Sequence, residues 1–174
     1  VMGIAPVLVI LGSVYHWFPL ITGRFLNERL GRIHFWVTFI GSYSIYFPMH
    51  YLGFMGVTRR YFEVFEGEAF TYSITGINQF ITVAALITGA VQFLFLYNII
   101  VSSKLGKKAG KNPWKACSLE WRTEHVPPTH GNFGKELPVV YRWAYDYSVP
   151  GADEDYITQD TPSSAVPNAR AEQT

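Results

Sequence analysis

Three stretches without a single Asp, Glu, Lys or Arg govern what this chain can fold into: Val1 to Gly23, Ile33 to Thr58 and Ala69 to Ser103. The 14 basic and 13 acidic residues are confined to the two gaps and the C-terminal part. Charged residues make up 16% of the chain, against about 25% in ordinary soluble domains. That distribution argues against a free-standing water-soluble globule and against a disordered chain. The single cysteine, Cys117, excludes a disulfide-stapled fold. A net charge of +1 gives no reason to expect nucleic acid as a partner.

A helix needs about 20 apolar residues to cross a hydrocarbon core of about 30 Å. Ile33 to Met55 offers 23 residues and Ile74 to Val101 offers 28. Val1 to Leu20 is shorter, with His16 and Trp17 at its interfacial end. In lipid the backbone must satisfy its own hydrogen bonds, so such segments become helices. Barrel strands would be about 10 residues long and alternating, unlike these runs. The expected fold is therefore all-α and integral to a membrane. Spans at about 1–20, 33–55 and 74–101 form a transmembrane region, 1–103, followed by a mostly irregular polar tail, 104–174. The chain opens inside an apolar run with neither Met nor a basic leader, as expected of a piece cut within a hydrophobic helix. Pro48 falls inside a predicted span, where it removes one backbone donor.

Lys and Arg set the expected direction. The first loop carries Arg24, Arg29 and Arg32, and the segment after the third span carries Lys104, Lys107, Lys108, Lys111 and Lys115. Three spans place both on one side, which is expected to be cytoplasmic. The intervening loop, with Glu63, Glu66 and Glu68, is then outside, as is the N-terminus. The tail from Asp153 onward is acidic and then rich in Ser, Pro and Ala, and is expected to be mobile unless a partner holds it.

Arg59 and Arg60 break this pattern, being adjacent cations at the end of a span on the side poor in Lys and Arg. They either neutralise a helix C-terminus or hold carboxylates or phosphates through charge-assisted hydrogen bonds. His16 and His34 lie at span ends and read as interfacial hydrogen-bonding residues. His50 lies deeper, with no second ligand three or four positions away, and reads as a structural hydrogen bond to a neighbouring helix. His125, His130 and Cys117 match no zinc spacing. The second span is rich in aromatics, among them Trp36, Tyr43, Tyr46, Phe47 and Phe54. That suits a wall around a large flat apolar cofactor, and it suits ordinary packing equally well.

Motifs in a fixed order carry a resemblance. His16-Trp17-Phe18-Pro19-Leu20-Ile21-Thr22-Gly23 is followed by Leu26-Asn27-Glu28, Ile33-His34-Phe35-Trp36, Phe47-Pro48-Met49-His50-Tyr51-Leu52-Gly53 and Arg59-Arg60-Tyr61. Up to about His130 the chain resembles the C-terminal part of subunit I of heme–copper terminal oxidases. The resemblance implies that the spans are the last three helices of a twelve-helix bundle. It implies heme A and copper as cofactors of the full subunit, their metal ligands lying outside this chain. It implies that Arg59 and Arg60 pair with heme propionates, that Tyr46 and Met49 line the low-spin heme, and that His50 is no metal ligand. Thr58 stands where relatives often have proline.

Function in the full enzyme would be oxygen reduction to water with electrons from cytochrome c, coupled to proton pumping across a bacterial inner membrane. Partners would be the remainder of subunit I, subunits II and III, cytochrome c and membrane lipid. A quinol-oxidising relative and a non-catalytic membrane subunit derived from this region are the alternatives.

Overall fold

A computed structural model describes residues 4–57, 68–124, 127, 132–134, 136–147, 154–162 and 165. Helices α1 (Ile4–Thr22), α2 (Glu28–Phe54) and α3 (Glu68–Leu105) dominate, followed by one short 3₁₀ turn at Leu119–Trp121. The chain divides into two units. One comprises Val1–Gly12 with Leu26–Lys104; the other comprises Ser13–Phe25 with Leu105–Thr174.

In the first unit, α2 begins where Asn27 caps it. The Asn27 side chain accepts from the backbone N–H of Arg29 (3.0 Å) and Leu30 (3.2 Å), satisfying donors that a first helical turn leaves free. Glu28 in that turn pairs with Arg32 one turn on, and the hydrogen bond and charge of Arg32 hold the Glu28 carboxyl below the usual range. The helix continues through Pro48 and stops in a double hydrogen-bonded reversal. Gly56 N–H donates to Gly53 O and Val57 N–H to Leu52 O, both at 3.1 Å. Gly56 takes φ +88° there, a conformation that glycine adopts without a Cβ penalty. Val57 packs back on Leu52 within a small apolar cluster that joins α2 to Ile74 and Ile81 of α3.

α1 and the Ile74–Leu105 part of α3 are long and apolar enough to cross a membrane, and little of either is buried. Val9, Leu86 and Phe93 are each two-thirds exposed or more. Apolar faces of this extent, left open, need lipid or other protein to cover them. Three spans were expected, and two meet this measure of length and hydropathy. α2 has the length, with 27 residues, but Ser42, Tyr43, Ser44, Tyr46, Tyr51 and two histidines dilute its hydropathy.

The second unit has its own small core. Trp121 and Cys117 are fully buried there, with Phe18 and Thr123 beside them in burial. Apart from the 3₁₀ turn, the described tail is irregular, and side chains hold it together. Gln159 is the hub: its N–H donates to Cys117 O and its carbonyl accepts from Tyr141 N–H. Its side chain accepts from Leu119 N–H and donates to Arg142 O. Residues 154–162, expected to be mobile, are thus tied to 115–122 and 141–147, because the backbone and side chain of one residue each satisfy two backbone groups.

Candidate functional site

The helix that carries most candidate residues, α2, has two unlike sides. Its packed side is His34, Thr38, Ser42 and Leu52, all buried. His34, Thr38 and Ser42 recur at roughly one-turn spacing and Leu52 falls on the same side further along, so they form one stripe facing α3. The stripe is largely polar: Ser42 donates to Thr38 O within α2 at 2.6 Å, and His34 and Thr38 bond across the helix pair. Nε2–H of His34 donates to Gln92 Oε1 at 3.1 Å, and the imidazole stacks on Phe95 with ring centroids 4.8 Å apart. Gln92 Nε2 donates to Thr38 Oγ1 at 3.1 Å and to Thr88 O at 3.0 Å. Further along, Asn98 accepts from Asn27 N–H (3.0 Å) and returns a bond to Asn27 O (3.1 Å), while Ser102 donates to the Asn98 side chain.

His34, expected to be an interfacial hydrogen-bonding residue, is 2% exposed and makes its hydrogen bond to the neighbouring helix. Gln92 and Asn98 escaped the sequence reading. Their one signal was uncharged amides inside a charge-free run.

The opposite side of α2 is open and aromatic. Trp36, Tyr43, Phe47 and Phe54 are exposed there, and Phe35, Trp36, Phe39 and Tyr43 form a chain of ring contacts 5.0 to 6.1 Å apart. Tyr46, half-buried, and Met49, 46% exposed, lie on the flank between this wall and the packed stripe. Standing three residues apart, they are neighbours on the helix surface. Nδ1–H of His50 donates to Tyr46 O at 2.7 Å, a bond within its own helix rather than to a neighbour. Arg59 and Arg60 lie outside the described residues. Among the described residues, no three His, Cys, Asp or Glu side chains come together as a metal site would need.

Chemically this is a low-dielectric wall with no charged residue between Arg32 and Arg59. It can cover a flat apolar ring. A carboxylate at its edge needs a nearby cation to stay ionised.

Comparison with known proteins gives the context. Residues 1–103 match the model of the family described as cytochrome c and quinol oxidase polypeptide I. The alternative cytochrome c oxidase subunit 1 of Bradyrhizobium diazoefficiens is 57% identical over 162 residues, which is 93% of this chain and 27% of that protein. Cytochrome c oxidase subunit 1 of Synechocystis is 41% identical over 80% of this chain and 24% of its own length. That of Thermostichus vulcanus is 41% identical over 85% of this chain and 26% of its own length. The chain thus spans about a quarter of the relatives it matches. By its sequence match and its long apolar helices, the chain belongs to the membrane-integral family of cytochrome c and quinol oxidase polypeptide I.

Proposed function

We propose that this chain forms the C-terminal part of subunit I of a proton-pumping respiratory oxidase, one that reduces oxygen to water with electrons from cytochrome c. The observation that carries this reading is the open aromatic side of α2, flanked by Tyr46 and Met49 and fixed by the polar seam to α3. Relatives named cytochrome c oxidases favour cytochrome c over quinol as donor.

In this reading α1, α2 and α3 are three spans, with the first end outside and the tail from 104 cytoplasmic, in a bacterial inner membrane. The remainder of subunit I, with subunits II and III, covers their exposed apolar faces. Electron transfer and oxygen reduction are the chemistry that heme A and copper supply when bound in the full subunit. The residues of α2 fit one side of such a ring: apolar aromatic groups to exclude water, and no charge of their own. Tyr46 and Met49 would pack against such a ring, and Arg59 and Arg60 would hold its propionates ionised.

The test is redox titration of the complete oxidase carrying Arg59→Ala or Arg60→Ala. Loss of a cation beside the heme disfavours the added electron, so the midpoint potential falls by on the order of tens of millivolts. Unchanged potentials in both variants remove the arginines from the propionates.

A further inference from the structure

We infer that the end of α1 and the segment following α3 form a binding surface for the headgroup of an anionic phospholipid. Gly23 to Phe25 runs antiparallel to Lys107 to Ala109. Phe25 N–H donates to Lys107 O and Ala109 N–H to Gly23 O, each at 2.8 Å, with Arg24 paired opposite Lys108. The Arg24 guanidinium donates to Gly106 O at 2.7 Å, which fixes its position. Three cations, Arg24, Lys107 and Lys108, are thereby gathered after the last turn of α1, with Lys111 three residues further along the chain.

None of the four makes an ion pair among the described residues, and the three lysines are exposed. Of the acids in this unit, Glu124, Glu136 and Asp160 line a pocket with Lys111, and Asp160 is held by Arg122. Glu154 pairs with Lys115 at 3.4 Å. Glu120 accepts from the indoles of Trp17 and Trp121, each at 3.2 Å. Arg24, Lys107 and Lys108 are left without an acidic partner among the described residues.

Charge alone would admit any anion; the indoles select a lipid. Trp17 and Trp114, 43% and 45% exposed, belong to the same unit. Trp114 is anchored by a 3.0 Å bond from Nε1 to His16 O and by an edge contact with Phe25. Half-exposed indoles settle at headgroup depth, and a lysine cluster directly following an apolar membrane helix meets the charged lipid surface. The occupant is therefore a phosphodiester headgroup whose acyl chains lie beside α1. The inference needs the membrane character of the family and is independent of the heme reading.

The test uses the complete oxidase containing this subunit, delipidated in detergent and titrated with phosphatidylglycerol or phosphatidylcholine, bound lipid being counted by native mass spectrometry. Lys107→Gln, Lys108→Gln and Lys111→Gln combined weaken phosphatidylglycerol binding at least about tenfold and leave phosphatidylcholine unchanged. The corresponding arginine triple retains binding, and added salt weakens phosphatidylglycerol binding to the unmutated complex. Equal phosphatidylglycerol affinity in the glutamine triple and the unmutated complex overturns the inference, as does a parallel loss of phosphatidylcholine. Should the glutamine triple not assemble, Lys108→Gln alone decides, with unchanged phosphatidylglycerol affinity counting against the site.

Discussion

Gly41 of α2 lies so close to Thr88 of α3 that a Cβ at position 41 would fall on the Thr88 hydroxyl, with Thr88 Cβ 3.1 Å and Cγ2 3.3 Å away. The hydroxyl cannot simply turn aside. It donates to Ala84 O at 2.7 Å, a bond that turning would break. Glycine is what lets the two helices approach closely enough for the neighbouring polar bonds to form. Gly41→Ala is expected to cost about 1–3 kcal/mol, read as a lower melting temperature of the complete oxidase. Adding Thr88→Ala restores most of the loss, because the two changes share one space. Unaltered melting of the single variant would mean that the helices are further apart than this.

Gln92 is the second point on which the seam depends. It joins His34, Thr38 and the Thr88 carbonyl through one side chain. Gln92→Leu keeps a similar size but deprives two buried polar groups of this partner, at an expected cost of about 1–3 kcal/mol. Combining it with His34→Phe should recover part of that stability, since an apolar pair asks for no hydrogen bond. Thermal inactivation half-lives of the three variants check this; a double variant less stable than Gln92→Leu contradicts it.

These two contacts also show where sequence reading stops. The helices were legible because a long gap in charge leaves the backbone in lipid no other option. The helices extend past the expected spans for local reasons: α2 starts at Glu28 because Asn27 caps it, and α3 begins at Glu68 and runs on to Leu105. Tyr46 and Met49 were named through motif order, and the structure places them side by side. Which way a side chain faces was not legible. His34 read as a hydrogen-bonding residue, but not as one buried between helices, where Gly41 lets α3 come close and Gln92 offers it a partner. The ordering role of Gln159 in the tail was hidden too, since nothing in composition distinguishes a glutamine that bonds solvent from one that bonds four backbone groups.

The tail should loosen in acid. Burial alone would raise the Asp160 carboxyl, but the Thr158 hydroxyl and the Arg122 guanidinium outweigh it and hold it below the usual range. Arg122 donates from both Nε (2.9 Å) and Nη2 (2.6 Å) to Oδ2. A carboxylate with a depressed pKa stabilises the fold fully above its ordinary value of about 4, and that contribution is lost as pH falls through the lowered one. Hydrogen exchange, corrected for intrinsic rate, should show the Gln159 and Tyr141 amides losing protection below about pH 4. Asp160→Asn should lower protection already at neutral pH and flatten the acid dependence. An acid profile unchanged by Asp160→Asn would assign the loss to another group.

Tyr46 and Met49 give the sharpest separation of function from packing. Neither belongs to the buried stripe, and Met49 is nearly half exposed. Tyr46→Phe and Met49→Leu nearly conserve volume, so melting of the complete oxidase should stay within about 1.5 kcal/mol of the unmutated enzyme. If these side chains face the low-spin heme, its absorption band and midpoint potential move all the same, because each change alters the polarity at the ring edge. The potential shift should be smaller than that of Arg59→Ala, since a dipole is removed rather than a charge. A pair of variants with unaltered spectrum and potential would return Tyr46 and Met49 to ordinary helix packing and leave the arginines as the chain's contribution to the cofactor.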